Sequence, residues 1–173
     1  FGGNSSLFIE DGAALGLQDG THVVASSNVQ LHNNALLNVL FGSTLSAVRD
    51  PGNPAGLGNL RIGFAGATSR ALVSGIDSQV QAADMLQLGG VFAPNPGVGE
   101  LTLSDGGRAL APVLSFGSTA SQLVINANSQ ARFNRFDSRI GLGEAGTITL
   151  NGGELVIGDE TLTTRLAATP SVF

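Results

Sequence analysis

Cysteine, lysine, tryptophan and tyrosine are all absent from this chain of 173 residues. Without cysteine there is no disulfide, no thiolate nucleophile and no Cys-ligated zinc or iron–sulfur centre. Without lysine no P-loop can form, because that loop sets its Lys against the phosphates. Charge is scarce too. Charged residues make up 12% of the chain, about half the ordinary share, and the net charge is −5. A nucleic-acid surface needs clustered cations to neutralise phosphates, so no nucleic-acid partner is expected. Anionic membrane surfaces are disfavoured on the same ground. No apolar run approaches the roughly 18 residues of a transmembrane helix, and no membrane insertion is expected. The chain begins at Phe1 rather than Met, which reads as a processed or excised piece.

What remains is glycine, small polar residues and aliphatics. The 25 glycines are about twice ordinary usage, and glycine weakens helix interiors. A hydrophobic share of 42% is enough to build a core in one domain of this length. Short apolar runs end in turn residues. Leu7-Phe8-Ile9 precedes Glu10-Asp11-Gly12, and Leu101-Thr102-Leu103 precedes Ser104-Asp105-Gly106. Leu123-Val124-Ile125 precedes Asn126-Ala127-Asn128, and Ile148-Thr149-Leu150 precedes Asn151-Gly152. Each reads as a strand closed by a turn. The only helical spacing, Val80, Ala83 and Leu86, is confined between Gly75 and Gly89 and reads as a strand with a turn.

Two phrases recur. The first joins Phe to Gly: VLFG (39–42), RIGFAG (61–66), GGVFAP (89–94) and LSFGS (114–118), with GLGEAG (141–146) carrying Leu142 in place of Phe. The second is ELTLSDGG (100–107), QLVINANS (122–129) and TITLNGGE (147–154). Aligned, they give a column of Phe41, Phe64, Phe92, Phe116 and Leu142, and another of Leu72, Leu101, Leu123 and Ile148. A polar column of Ser74, Ser104, Asn126 and Asn151 follows. A repeat of roughly two dozen residues is one coil of a solenoid. The expectation is therefore all-β: a single parallel β-helix (β-solenoid) domain, 1–173, of about six to seven coils. Phe and Leu ladders would fill it, and Ser/Asn ladders would sit at its bends. Segments 48–59 and 92–100, rich in Pro and Gly, read as loop excursions from the stack, and 161–173 as a terminal exchange or capping segment.

The phrases LRIGFAGATSRALVSG (60–75), VGELTLSDGG (98–107) and SRIGLGEAGTITLNGGELVIGDE (138–160) resemble the repeats of bacterial exported β-helix proteins. Autotransporter passengers and surface-repeat proteins are among these. The resemblance covers about residues 59–160. It implies a structural or adhesive role outside the cell or on the bacterial surface. Autotransporters end in a membrane barrel, for which 161–173 has one strand's worth of pattern at best.

Candidate chemistry is thin. GLGEAG has the glycine pattern of a dinucleotide site, but the strand TITL follows it where a helix is needed. His22 and His32 lack metal-site spacing and read as surface or turn residues. Asp11, Asp77, Asp105, Glu154, Asp159 and Glu160 are the carboxylates a glycoside-cleaving site would draw on. Asp11 and Asp105 stand in Asp-Gly turns, where Asp is favoured for backbone reasons. Gly158-Asp159-Glu160 lacks the dense oxygen spacing of a Ca²⁺ loop. Thr147-Ile148-Thr149 and Thr161-Leu162-Thr163-Thr164 do not recur as an ice-matching ladder would. No catalytic residue, metal or cofactor is therefore expected. Arg132, Phe133, Arg135, Phe136 and Arg139 form a candidate interface, since Arg and exposed Phe are common at contacts. The functional expectation is a non-enzymatic structural or adhesive module that self-associates through its chain ends into a filament, matrix or surface layer. Cell-surface carbohydrate is a second candidate partner. The alternative is a polysaccharide-active β-helix enzyme using carboxylates.

Overall fold

The computed structural model describes residues 5–53, 56–90, 96–137 and 146–158, and the backbone of 164–167 and 171–172. Every regular element among the described residues is a strand. The first nine are β1 (Leu7–Ile9), β2 (Ala14–Leu17), β3 (His22–Ala25), β4 (Val29–Leu31), β5 (Leu36–Leu40), β6 (Thr44–Ala47), β7 (Asn59–Ile62), β8 (Ser69–Ser74) and β9 (Gln79–Ala82). The rest are β10 (Met85–Leu88), β11 (Gly99–Ser104), β12 (Arg108–Phe116), β13 (Gln122–Asn126), β14 (Gln130–Phe136), β15 (Thr147–Asn151), β16 (Glu154–Ile157), β17 (Thr164–Ala167) and β18 (Ser171–Val172). The one stretch with helical spacing is two strands, β9 and β10, parted by a bend at Ala83-Asp84. Of the two expected excursions, the first lies between β6 and β7, with 48–53 and 56–58 outside any strand and Asn59 already in β7. Gly99 and Glu100 open β11, and residues 92–95 lie outside the described residues.

Two sheets hold the chain. The larger runs β1, β4, β7, β10, β12, β14, β16, β17, and β3, β6 and β9 join it at β12. The smaller runs β2, β5, β8, β11, β13, β15, β18. From β1 to β16 each strand ladder is parallel, and the chain comes back one strand spacing over, about 4.8 Å,. Intervals run from 22 residues, as between His22 and Thr44, to 35 between Thr44 and Gln79. Register is strict, so residues on one face stack on residues of the same face. Leu15, Leu37, Ala71, Leu101, Leu123 and Ile148 form one inward column of the smaller sheet. Leu17, Val39, Val73, Leu103, Ile125 and Leu150 form the next. Ile9, Leu31, Ile62, Leu88 and Phe116 do the same in the larger sheet. Each fully buried Leu or Ile contributes about 1.5–3 kcal/mol of transfer free energy. Interior rows bury theirs because a neighbour lies on either side.

Both columns read from sequence need correction. Leu72 is one residue out of register: Ala71 pairs with Leu101, and Leu72 pairs with Thr102 on the outer face. The phenylalanines do not share a column. Phe116 ends β12 and packs on the core in line with Leu88. Phe64 follows Gly63 after β7 and is half-buried. Phe41 is 66% exposed and sits in a turn with φ 52°. Asp19 and Asp105 hold the same kind of left-handed turn before Gly20 and Gly106. Phe92 and Leu142 lie outside the described residues. The Ser/Asn column is a register: Ser74 pairs with Ser104 and Asn126 with Asn151. The Asn151 side-chain amide donates to Asn126 Oδ1 at 3.1 Å.

Left-handed backbone costs a bulky residue about 1 kcal/mol, whereas Asn adopts it readily. Phe41→Asn gives up little buried surface, since Phe41 is largely exposed. It is expected to stabilise the chain by about 1 kcal/mol, read as a higher midpoint in urea denaturation. An unchanged or lower midpoint would dismiss strain at this turn.

Two columns of small residues line the corners between the sheets. One is Thr21, Ser43, Ser78, Gly107, Ser129 and Gly153, the first five carbonyls each accepting from the strand residue one row on. The other is Ala13, Ala35, Ser69, Gly99, Ser121 and Gly146. Buried serines here hydrogen-bond across rows: Ser43 Oγ accepts from Thr21 N–H, Ser78 Oγ from Gly42, Ser121 Oγ from Gly99 and Ser129 Oγ from Gly106. Nothing larger fits. A Cβ on Gly107 would lie 2.2 Å from the Val73 carbonyl oxygen, and one on Gly99 would lie 2.1 Å from that of Ile62. Much of the glycine and serine content is thus a steric requirement of tight stacking.

The two ends differ. At the C-terminal end β17 and β18 reverse direction and pair antiparallel with β16 and β15, and Leu150 and Leu155 beneath are each 1% exposed. At the N-terminal end β1, β2 and β3 each pair on one side only among the described residues. Leu7, Leu15 and Val23 face the core there but are only partly buried.

Candidate functional site

The sequence-derived carboxylates do not converge. Asp11, Asp77 and Asp105 all occupy left-handed turns, with φ of 53°, 63° and 54°. Asp105 Oδ2 accepts from Ser74 Oγ at 2.9 Å, and Asp11 Oδ1 from Asn33 Nδ2 at 3.0 Å. Glu154 opens β16 and accepts from Gln130 Nε2 at 2.6 Å. Asp105 lies in the turn between β11 and β12, and Glu154 opens β16 two rows on from β12. Asp159 and Glu160 lie outside the described residues, as do 141–145 of GLGEAG. No group of three or more His, Asp or Glu suited to a metal occurs among the described residues.

The histidines stand apart. His22 Nδ1 meets Thr44 Oγ1 at 2.7 Å on the outer face of β3. His32 Nε2 meets Gln30 Oε1 at 3.1 Å, and its ring is edge-on to Phe64 at 5.4 Å. Arg61 covers the other side of that group, its guanidinium carbon 4.7 Å from the Phe64 ring centroid. Its Nε is buried without a hydrogen-bond partner. Burial lowers its pKa from the ordinary arginine value,.

The excursion of 48–58 is tied down by Asp84, from the bend between β9 and β10. Asp84 pairs with Arg49 and accepts from the Gly58 amide at 2.8 Å. The Arg49 hydrogen bond holds the Asp84 carboxyl below its usual range, against the opposing effect of burial,. A carboxylate with a depressed folded pKa stabilises the fold above its unfolded pKa near 3.9, and that stabilisation is lost as pH falls through the folded value. Between about pH 4 and 2, Asp84→Asn is therefore expected to show a shallower fall in thermal midpoint than the parent. Parallel curves would show that the pair contributes nothing.

The interface proposed from sequence is divided by the fold. Phe133 is 0% exposed and stacks between Ala111 and Ile157 as part of the core. It presents nothing to a partner, because strand alternation turns it inward. Arg132 and Arg135 face outward, Phe136 is 42% exposed at the end of β14, and Arg139 lies outside the described residues. Arg132 instead joins residues that sequence reasoning passed over. Gln81 and Ala82 of β9, Leu110, Ala111 and Pro112 of β12, and Arg132 and Asn134 of β14 line an outer groove of about 300 Å³. These residues belong to three strands far apart in sequence, so only the register brings them together. No protein-family model, curated protein or solved structure matches this chain.

Proposed function

We propose that the chain is a parallel β-helix of about six to seven coils, serving as a structural and adhesive module outside the cell and assembling through its ends. The supporting observation is an end row that has a strand neighbour on one side only among the described residues. Leu7, Leu15 and Val23 occupy core columns yet are only partly buried, and Phe8 and Val24 beside them are 53% and 64% exposed. In the next row the column partners Leu37 and Leu45 are closed over at 0% and 1%. A row with no neighbour exposes apolar surface and unpaired backbone groups, and another set of strands satisfies both. The outer edges of β17 and β18 are likewise unpaired among the described residues, so end-to-end stacking has a surface at either end. The likeness of the repeats to exported β-helix proteins supports a location at the bacterial surface, and a filament, matrix or surface layer as the product. The reading is non-enzymatic. The carbohydrate-cleaving alternative needs paired carboxylates in one groove, and the described ones are spent on turns and a glutamine contact.

Sedimentation across a wide concentration range tests the proposal. The parent is expected to assemble as concentration rises. Leu15→Asp with Val23→Asp is expected to remain monomeric while keeping the parent's circular dichroism. A parent that stays strictly monomeric at high concentration would refute self-association.

A further inference from the structure

The groove of β9, β12 and β14 gathers positive charge in a protein whose net charge is −5. Arg132 lines it. Arg108 projects from the same outer face, two residues before Leu110, whose register partner is Arg132. Arg135 follows Asn134 on the same strand and pairs with Val113 of β12. Arg49 and Arg70 are neutralised by Asp84 and Glu100. Among the described residues Arg108, Arg132 and Arg135 take no ion pair and no side-chain hydrogen bond. Of the neighbouring acids, Asp84 is engaged with Arg49 and Glu154 with Gln130, and Asp137, two residues beyond Arg135, also has a partner.

The neutral groups around these cations are amides over an apolar floor. Gln81 Oε1 accepts from Gln79 Nε2 at 3.2 Å, which leaves the Gln81 amide nitrogen as a donor. Gln130 commits its nitrogen to Glu154, leaving its oxygen as an acceptor. Asn134 is exposed and offers both. Leu110, Ala111 and Pro112 supply carbon surface between them. Guanidinium groups pair side-on with planar oxyanions. Amide donors and acceptors match hydroxyls, and an apolar floor accepts the C–H face of a ring. An added peptide strand is excluded, because β12 is already paired on both sides and offers it no free backbone edge,.

The geometry points to a lateral binding site for an acidic saccharide, with an oxyanion of the sugar on Arg132, a second on Arg108 or Arg135, and hydroxyls on Gln81 and Asn134. Sugar carboxylates and sulfate groups both present such oxyanions. The site gives the adhesive role proposed above a ligand class. It lies on the side of the stack, so its failure and a failure of end-to-end assembly are separable.

Titration calorimetry at low salt with three short oligosaccharides tests it: a uronic-acid tetramer, its fully methyl-esterified counterpart, and a chondroitin sulfate tetramer. At least one acidic chain is expected to bind, with affinity falling as salt rises, and the ester is expected not to bind. The chondroitin sulfate tetramer carries uronate as well as sulfate, so binding tighter than the uronate tetramer shows that sulfate adds to recognition, and equal or weaker binding assigns it to the carboxylate. Arg132→Gln is expected to lose about tenfold or more, the loss of a charge-assisted pair. Arg132→Lys keeps the charge without the fork and should fall between. Arg70→Gln, on the other sheet, should bind as the parent does. An unchanged thermal midpoint shows that Arg132→Gln still folds; if it does not, Arg132→Lys and Arg108→Gln carry the test. Equal binding of the ester, no effect at Arg132 and Arg108, or no binding of either acidic chain at millimolar concentration would overturn the site.

Discussion

Phe133→Ala is expected to destabilise the chain by about 3–5 kcal/mol, the range for removing a buried aromatic. Phe133 is among the largest fully buried side chains. Its column is otherwise small where Ala25 pairs with Ala47 and Ala47 with Ala82, and Phe133 itself stacks on Ala111. The ring fills space that the adjacent Ala111 leaves open. Relaxation into the cavity is restricted, because β14 is held by ladders to β12 and β16 and cannot close in without breaking register. The cost therefore belongs near the top of the range. Against a typical total stability of about 5–15 kcal/mol the loss is severe. Urea denaturation followed by circular dichroism measures it. A loss under about 1 kcal/mol would mean that Phe133 is not packed as described.

Gly107→Ala is the second large effect, expected to cost at least about 3 kcal/mol. The added carbon would meet Val73 oxygen at 2.2 Å and Val73 carbon at 2.7 Å, both backbone atoms of a central strand. No rotamer relieves such a clash, so the row spacing itself must open. Gly16→Ala provides the contrast. Gly16 has no atom within 4 Å of an added Cβ and carries no positive φ, so alanine is expected to be neutral or to stabilise by about 0.4–1 kcal/mol through the unfolded chain. The same denaturation series reads both. Similar values for the two substitutions would refute the steric account of the corner columns.

These two glycines show how far the sequence could be read. Both sit beside short apolar runs, and nothing local distinguishes them. The strand–turn alternation was legible because turn chemistry is local: Asp11, Asp19 and Asp105 declare left-handed turns by residue type alone. The Ser74–Ser104 and Asn126–Asn151 pairs were legible too, since each directly follows a strand of alternating pattern. Phe41 misled because its neighbour Gly42 made it look like Phe64 and Phe116. A phenylalanine in a left-handed turn contradicts its own backbone preference, so only tertiary context could reveal it. Leu72 misled by one residue, because Ala71 is the weaker hydrophobe and yet faces the core. The Arg132 groove had no local signal, since its walls come from β9, β12 and β14.

By itself, then, the sequence determined an all-β chain of short strands and left-handed turns, without disulfides, thiolate chemistry or a lysine-dependent phosphate loop. Those follow from composition and from preferences acting over a few residues. Tertiary structure decided which strands stack in which register, and through it the rest. It placed Phe133 inside and Phe41 outside, limited two corner columns to Ala, Ser, Thr and Gly, left β1, β2 and β3 paired on one side only among the described residues, and set Arg132 in an outer groove. The physical reason is the strand period of two: a slip of a single residue exchanges the inner and outer faces, and only contacts between rows more than twenty residues apart can prevent it,.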